Sequence, residues 1–222
     1  STQSRSSAAS DVYKRQRVDE LILPPVAFGV KVISIGMFIE GNTPVAWRGP
    51  MLHRAIEQFL SDVFWGDLDI LLVDLPPGTG DIAITLGQLL PTAKTIVITT
   101  PQISASEVAE RSGAVGLQTG QAIFGVIENM SYLETGGTRM ELFGSGGGEL
   151  VAKHLSDLSG QEVPLLGQIP ISVPLREGSD SGNPLLGQKT HDPAFEAIEQ
   201  ISQKIAGAGR ELAGRKLPLS PR

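Results

Sequence analysis

Residues 69–75 (DILLVDL) form a near-continuous apolar run, closed abruptly by Pro76-Pro77-Gly78. A strand with one wet face alternates apolar and polar residues. A run without that alternation reads as a strand buried on both faces, as in a parallel sheet covered by helices on each side. The rest of the chain is patterned to match. Residues 31–35 (KVISI), 95–100 (TIVITT), 122–127 (AIFGVI) and 164–169 (PLLGQI) read as further strands. A helix is expected over 50–64, where Leu52, Ile56, Phe59, Leu60 and Val63 recur at spacings of three and four. Others are expected over 80–90, over 148–158, over 193–208, and from Ser104, where Glu107 completes a capping box. Residues 108–117 read as its core-facing part. Strands alternating with helices across short connections predict right-handed crossovers. The expected fold is α/β: a doubly wound, mostly parallel sheet with helices on both faces, in one domain.

Charge and composition narrow the function classes. The net charge is −6 with a pI near 5.1, which argues against nucleic acid, where binding runs on counterion release by basic side chains. No apolar run approaches a membrane span and no signal-peptide pattern occurs, so no membrane is expected and the cytoplasm is the expected compartment. Cysteine is absent, which removes disulfides, a catalytic thiol and any thiolate-held metal or cluster supplied by this chain alone. His53, His154 and His191 are too dispersed for a ligand pair. Residues 1–16 are Ser-rich and polar and read as a disordered or non-native leader, 17–208 as the domain, and 209–222 as a polar tail.

Ligands of such sheets sit beyond the carboxyl ends of the strands. Gly36, Asp74 with Pro76-Pro77-Gly78, Thr100-Pro101, Glu128-Asn129 and Ile169-Pro170 all fall at expected strand ends, which points to a polar ligand. The sharpest of these is residues 70–81, ILLVDLPPGTGD. An acid at a buried strand tip suits the shell of Mg²⁺, often through water, and the glycine behind it lets a backbone N–H approach a γ-phosphate. The alternative is an aspartate capping the helix at Gly80. Asn129 offers donor and acceptor together, which suits an adenine edge or, alternatively, a turn. Pro170 covers a base or lies in a loop. Arg48 reaches a phosphate or partner carboxylate, or makes a surface ion pair. Asp81 reads as a charge at a helix start, and Ser145-Gly146-Gly147-Gly148 as a flexible lead into a helix near a dimer surface, since no strand precedes it as a phosphate loop requires.

At residues 70–81 the chain resembles the Mrp/NBP35-type P-loop ATPases, iron–sulfur cluster carriers related to the MinD/ParA group. Trp47-Arg48-Gly49-Pro50-Met51, Thr99-Thr100-Pro101-Gln102, Glu128-Asn129-Met130-Ser131, residues 143–148 (FGSGGG) and residues 165–170 (LLGQIP) match the same family in the same order, over about residues 17–208. The resemblance implies an ATP-hydrolysing carrier for iron–sulfur cluster assembly, with ATP and Mg²⁺ as cofactors and a 4Fe-4S cluster expected for the family. It implies Asp74 and Gly78 as catalytic, Asp74 as the Mg²⁺ residue, and Pro77, Asn129, Pro170 and Arg48 as nucleotide-binding. It also implies a homodimer that passes clusters to apo iron–sulfur proteins. Two departures stand out. No Gly-Lys pair exists, so the phosphate-cradling G-x-x-x-x-G-K-[ST] loop is missing and the chain reads as truncated at its N-terminus. Between ENMS and FGSGGG, where the family usually has Cys-x-x-Cys, residues 132–142 read YLETGGTRMEL, without ligands for a cluster. The alternatives are a MinD/ParA-like positioning switch and a non-catalytic dimerising remnant.

Overall fold

The computed structural model describes residues 16–18, 21–38, 49–75, 81–184 and 191–210. The first part is small hairpins. β1 (Gln16–Val18) pairs antiparallel with β2 (Leu21–Leu23), and β3 (Val26–Ala27) with β4 (Val30–Lys31). Phe28 and Gly29 turn between β3 and β4 with φ of 52° and 79°, the double positive φ of a two-residue turn that matches strand twist. The strand expected over 31–35 ends at Lys31, and a 3-10 turn follows over Ile35–Phe38. Helix α1 (Gly49–Ser61) fills most of the stretch its periodicity predicts, with Ile56 buried, but ends before Val63, which bridges Ile22 instead. Helix α2 (Asp81–Leu89) follows the proline–glycine segment.

The main sheet is built from β5 (Lys94–Thr99), β6 (Ala122–Thr135), β7 (Thr138–Met140) and β8 (Leu165–Ile171). β6 runs parallel to β5 on one side and to β8 on the other. Helix α3 (Ile103–Gln118) crosses between β5 and β6, and α4 (Gly147–Ser159) between β6 and β8. Helix α5 (Val173–Asp180) and helix α6 (Pro193–Arg210) complete the order. Alternation along the strands sends neighbours to opposite faces. Val97 and Val126 join Ala109 of α3 and Val151, Ala152 and Leu155 of α4 in one core; Ile127 and Leu166 join Ile201 of α6 in the other. Helices thus cover both faces, as the sequence predicts.

Residues 69–75 depart from expectation. They form no strand and are exposed, with Leu72 at 73%. A strand exists only as a hydrogen-bonded partner, and among the described residues no strand pairs with this run. β6 is longer than expected because Gly136 and Gly137, both at positive φ, fold it back on β7 with Thr135 opposite Thr138. The residues between ENMS and FGSGGG are therefore largely a hairpin, with the Arg139 guanidinium 4.3 Å from the Tyr132 ring centre. The capping box at Ser104 does not form. The helix starts one residue earlier, its N-cap is Gln102 without a side-chain cap, and Ser104 already lies inside the first turn.

Candidate functional site

The parallel strands end together. Thr99 of β5 is in register with Glu128 of β6, Glu128 with Gln168 of β8, and Asn129 with Ile169. This rim collects several polar groups. The Thr100 hydroxyl donates to the Gln102 side-chain oxygen. The Ser106 hydroxyl, 1% exposed, donates to the carbonyls of Gln102 and Gly147.

Glu128 lies at the centre of the rim and is 1% exposed. Its Oε2 accepts from the Gly148 backbone N–H at 2.6 Å and its Oε1 from Gln168 Nε2 at 2.9 Å. A buried carboxylate is costly unless donors meet it. Here one donor comes from the first turn of α4, whose free N–H groups also carry the positive end of the helix dipole, and the other from Gln168 of β8. The close approach depends on glycine. A Cβ on Gly148 would lie 2.8 Å from Glu128 Cβ, and one on Gly147 would lie 2.7 Å and 2.8 Å from the carbonyl oxygens of Thr100 and Pro101. The Ser145–Gly148 stretch is therefore not merely a flexible lead. Gly147 and Gly148 are buried against the ends of β5 and β6, and only the part before them is open.

Asn129 follows directly and is half-buried. Its Oδ1 accepts from the Met130 N–H at 2.9 Å, the turn-forming role left open by the sequence, while Nδ2 has no partner among the described residues. Met130 sits at φ 55°, and the buried Ser131 hydroxyl donates back to the Glu128 carbonyl at 2.9 Å. Pro170 is not in a loop: it is buried within β8. Pairing there jumps from Asn129↔Ile169 to Leu133↔Ile171, and β8 is an edge strand, so a residue without an N–H leaves no gap in the ladder.

The other predicted site residues are not brought to this rim by the described structure. Asp74 is exposed in the irregular 69–75 segment rather than at a strand tip, because that strand does not form. Arg48, Pro77 and Gly78, with Trp47, lie outside the described residues, as do most of the leader and tail. Asp81 opens α2 as expected. Among the described residues no cluster of three or more His, Asp or Glu is arranged for a metal, and no helix is long and apolar enough to cross a membrane. Sequence reasoning assigned no role to Glu128 or Gln168. An acid closing an apolar strand signals a strand end, but only the packed topology shows it buried between two donors.

A family model described as ParA, NUBPL iron-transfer P-loop NTPase, matches residues 6–206. A Mycobacterium leprae protein named iron–sulfur cluster carrier protein is 54% identical over 92% of this chain and 54% of its own length. A Bacillus subtilis protein of the same name is 43% identical over 84% of this chain and 51% of its own length. The chain spans about half the length of the curated relatives it matches. Among solved structures, a nucleotide-binding protein from Archaeoglobus fulgidus in complex with ADP aligns with a TM-score of 0.65 at 30% identity, over 87% of this chain and 72% of that one.

Proposed function

The chain belongs to the ParA family of NUBPL iron-transfer P-loop NTPases, and from that premise we propose that it is the nucleotide-responsive part of an iron–sulfur cluster carrier. It binds ATP at the carboxyl ends of β5, β6 and β8, and ATP hydrolysis drives the loading or delivery of a cluster to apo iron–sulfur proteins. The observation that carries this reading is the pairing of Asn129 with Ile169 at the rim. There an amide whose Nδ2 has no partner among the described residues stands where parallel sheets hold ligands. Two relatives named as cluster carriers and an ADP-bound neighbour support it, and they favour a carrier over a MinD-like positioning switch.

In this reading Asn129 meets the adenine edge, with Ile169 and the buried Pro170 behind it. Arg48 and Pro77 line the phosphate side, and Gly78 offers a backbone N–H to the γ-phosphate. Asp74 fits Mg²⁺ by chemistry: it is an exposed hard oxygen donor, and Mg²⁺ needs only one or two protein carboxylates beside phosphate and water. When bound, the ion neutralises charge on the phosphates. The cluster is cargo here. The chain has no thiolate to ligate it, so no ligation step falls to this chain's residues, in one copy or in a cytoplasmic homodimer of it, and the thiolates come from a partner protein. We take residues 17–208 as its working domain.

The experiment compares the chain with a version extended at its N-terminus by a family P-loop segment. The extended version is expected to bind and hydrolyse Mg-ATP, and Asp74→Asn in it to abolish turnover. An extended, folded protein that binds no Mg-ATP defeats the reading; unchanged turnover in Asp74→Asn removes that residue from the metal site. Anaerobic addition of iron and sulfide tests the cargo role by visible absorption, and a colourless extended protein with an added Cys-x-x-Cys in 132–142 would leave only the ATPase part.

A further inference from the structure

Glu128 is the one buried charged side chain among the described residues, and nothing in the reading above uses it. Its two carboxylate oxygens reach different elements: Oε2 takes the Gly148 N–H of α4 at 2.6 Å, and Oε1 takes the Gln168 amide of β8 at 2.9 Å. Between Glu128 and Gly148 the chain completes β6, turns back along β7 and then enters α4. The Oε2 bond therefore closes a 20-residue excursion at its base. Asn129 is the first residue of that excursion. On its far side Met130 is held at positive φ, and the Ser131 hydroxyl ties the turn back to the Glu128 carbonyl.

We infer that Glu128 is a positioning residue: by clasping α4 and β8 to the end of β6, it holds the Asn129 amide in the orientation that reads a purine base. The inference rests on the reading of Asn129 given above. A carboxylate is suited to the task because it can accept from two directions at once. Gln168 lies next to Ile169, so the same clasp sets the spacing between the two residues that flank the base. Glutamine at position 128 can reproduce both contacts, its oxygen accepting from Gly148 and its amide donating to a reversed Gln168 amide. Leucine can make neither, and leaves the Gly148 N–H buried without a partner.

The test uses the full chain as wild type, Glu128→Gln, Glu128→Leu and Gln168→Leu. ¹H–¹⁵N spectra follow the Asn129 side-chain amide, and calorimetric titrations of the same variants carrying the N-terminal P-loop extension give affinities for ATP and GTP. The Asn129 resonances are expected to move in Glu128→Leu and Gln168→Leu and to stay in place in Glu128→Gln. The preference for ATP over GTP is expected to fall by about fivefold or more in the two leucine variants, roughly the worth of one lost hydrogen bond, and to stay within about twofold in Glu128→Gln. A merely structural role would lower the unfolding midpoint and leave that ratio alone. Should Glu128→Leu not fold, Gln168→Leu decides, since it removes one arm at a half-buried position. A folded leucine variant with Asn129 resonances unmoved overturns the clasp. A wild type that binds both nucleotides without preference instead defeats the base-reading role of Asn129, and the positioning claim for the base with it.

Discussion

Leu155 fills the space that a side chain on Gly113 would need. A Cβ on that glycine would lie 2.7 Å from Leu155 Cδ2 and 3.3 Å from Val97 Cγ2, and Leu155 itself is fully buried. Ala109, Gly113 and Gly116 give α3 a buried face of small residues, so it lies close against α4 and β5. Gly113→Ala is accordingly expected to destabilise the chain by about 1–3 kcal/mol through overpacking, despite alanine's better helix propensity. Gly207 in α6 has nothing within 4 Å of its would-be Cβ, and Gly207→Ala is expected to stabilise by up to about 1 kcal/mol. Urea unfolding midpoints of the two variants should move in opposite directions; a shared direction would contradict the packing described.

Gly147→Ala is expected to be more damaging than Gly113→Ala. The obstacles at Gly147 are the backbone carbonyls of Thr100 and Pro101, which cannot rotate away as a leucine methyl can. Shifting α4 to make room also lengthens the Glu128–Gly148 contact. The expected readouts are a loss above about 2 kcal/mol in urea unfolding and faster hydrogen exchange at Gly148. A midpoint within about 0.5 kcal/mol of wild type would show that the loop has slack the structure does not display.

Ser172 links two helix starts. Its hydroxyl accepts from the Leu175 N–H at 3.0 Å, capping α5, and donates to Asp192 Oδ2 at 2.7 Å. Asp192 Oδ1 accepts from Ala194 and Phe195 at the start of α6. Ser172→Ala is expected to cost about 1 kcal/mol and Asp192→Ala about 1–2 kcal/mol. The double variant should fall short of their sum by about 0.5 kcal/mol or more, because each single change already breaks the shared bond. Strict additivity in a double-mutant cycle would deny the link.

Ile70, Leu71, Leu72, Val73 and Leu75 are all exposed along one short segment, interrupted only by Asp74, and exposed apolar segments of this kind drive association. Leu72→Lys replaces its most exposed member. Light scattering at raised protein concentration is expected to drop while the unfolding midpoint stays within about 0.5 kcal/mol. Equal scattering with and without the lysine would mean that association runs through another surface.

Much of this architecture was legible from local pattern. The period of 50–64 predicts α1, the Pro193 start predicts α6, and the β-branched runs at 95–100 and 122–127 predict the central strands, since each rests on side-chain spacing that survives any neighbour. The Glu128-Asn129 pair also marked the rim from the sequence, whereas residues 145–148 were expected only as a flexible lead into a helix near a dimer surface. Three things depended on tertiary structure. Whether residues 69–75 become a strand depends on a partner edge, and hydrogen-bond partners are not encoded in the run itself. Whether Gly147 and Gly113 are hinges or close-packing positions depends on what stands opposite, here backbone carbonyls and Leu155. Glu128 could be recognised as a buried clasp only after β6, β8 and α4 had been brought together, because the donors that make its burial tolerable lie 20 and 40 residues away along the chain.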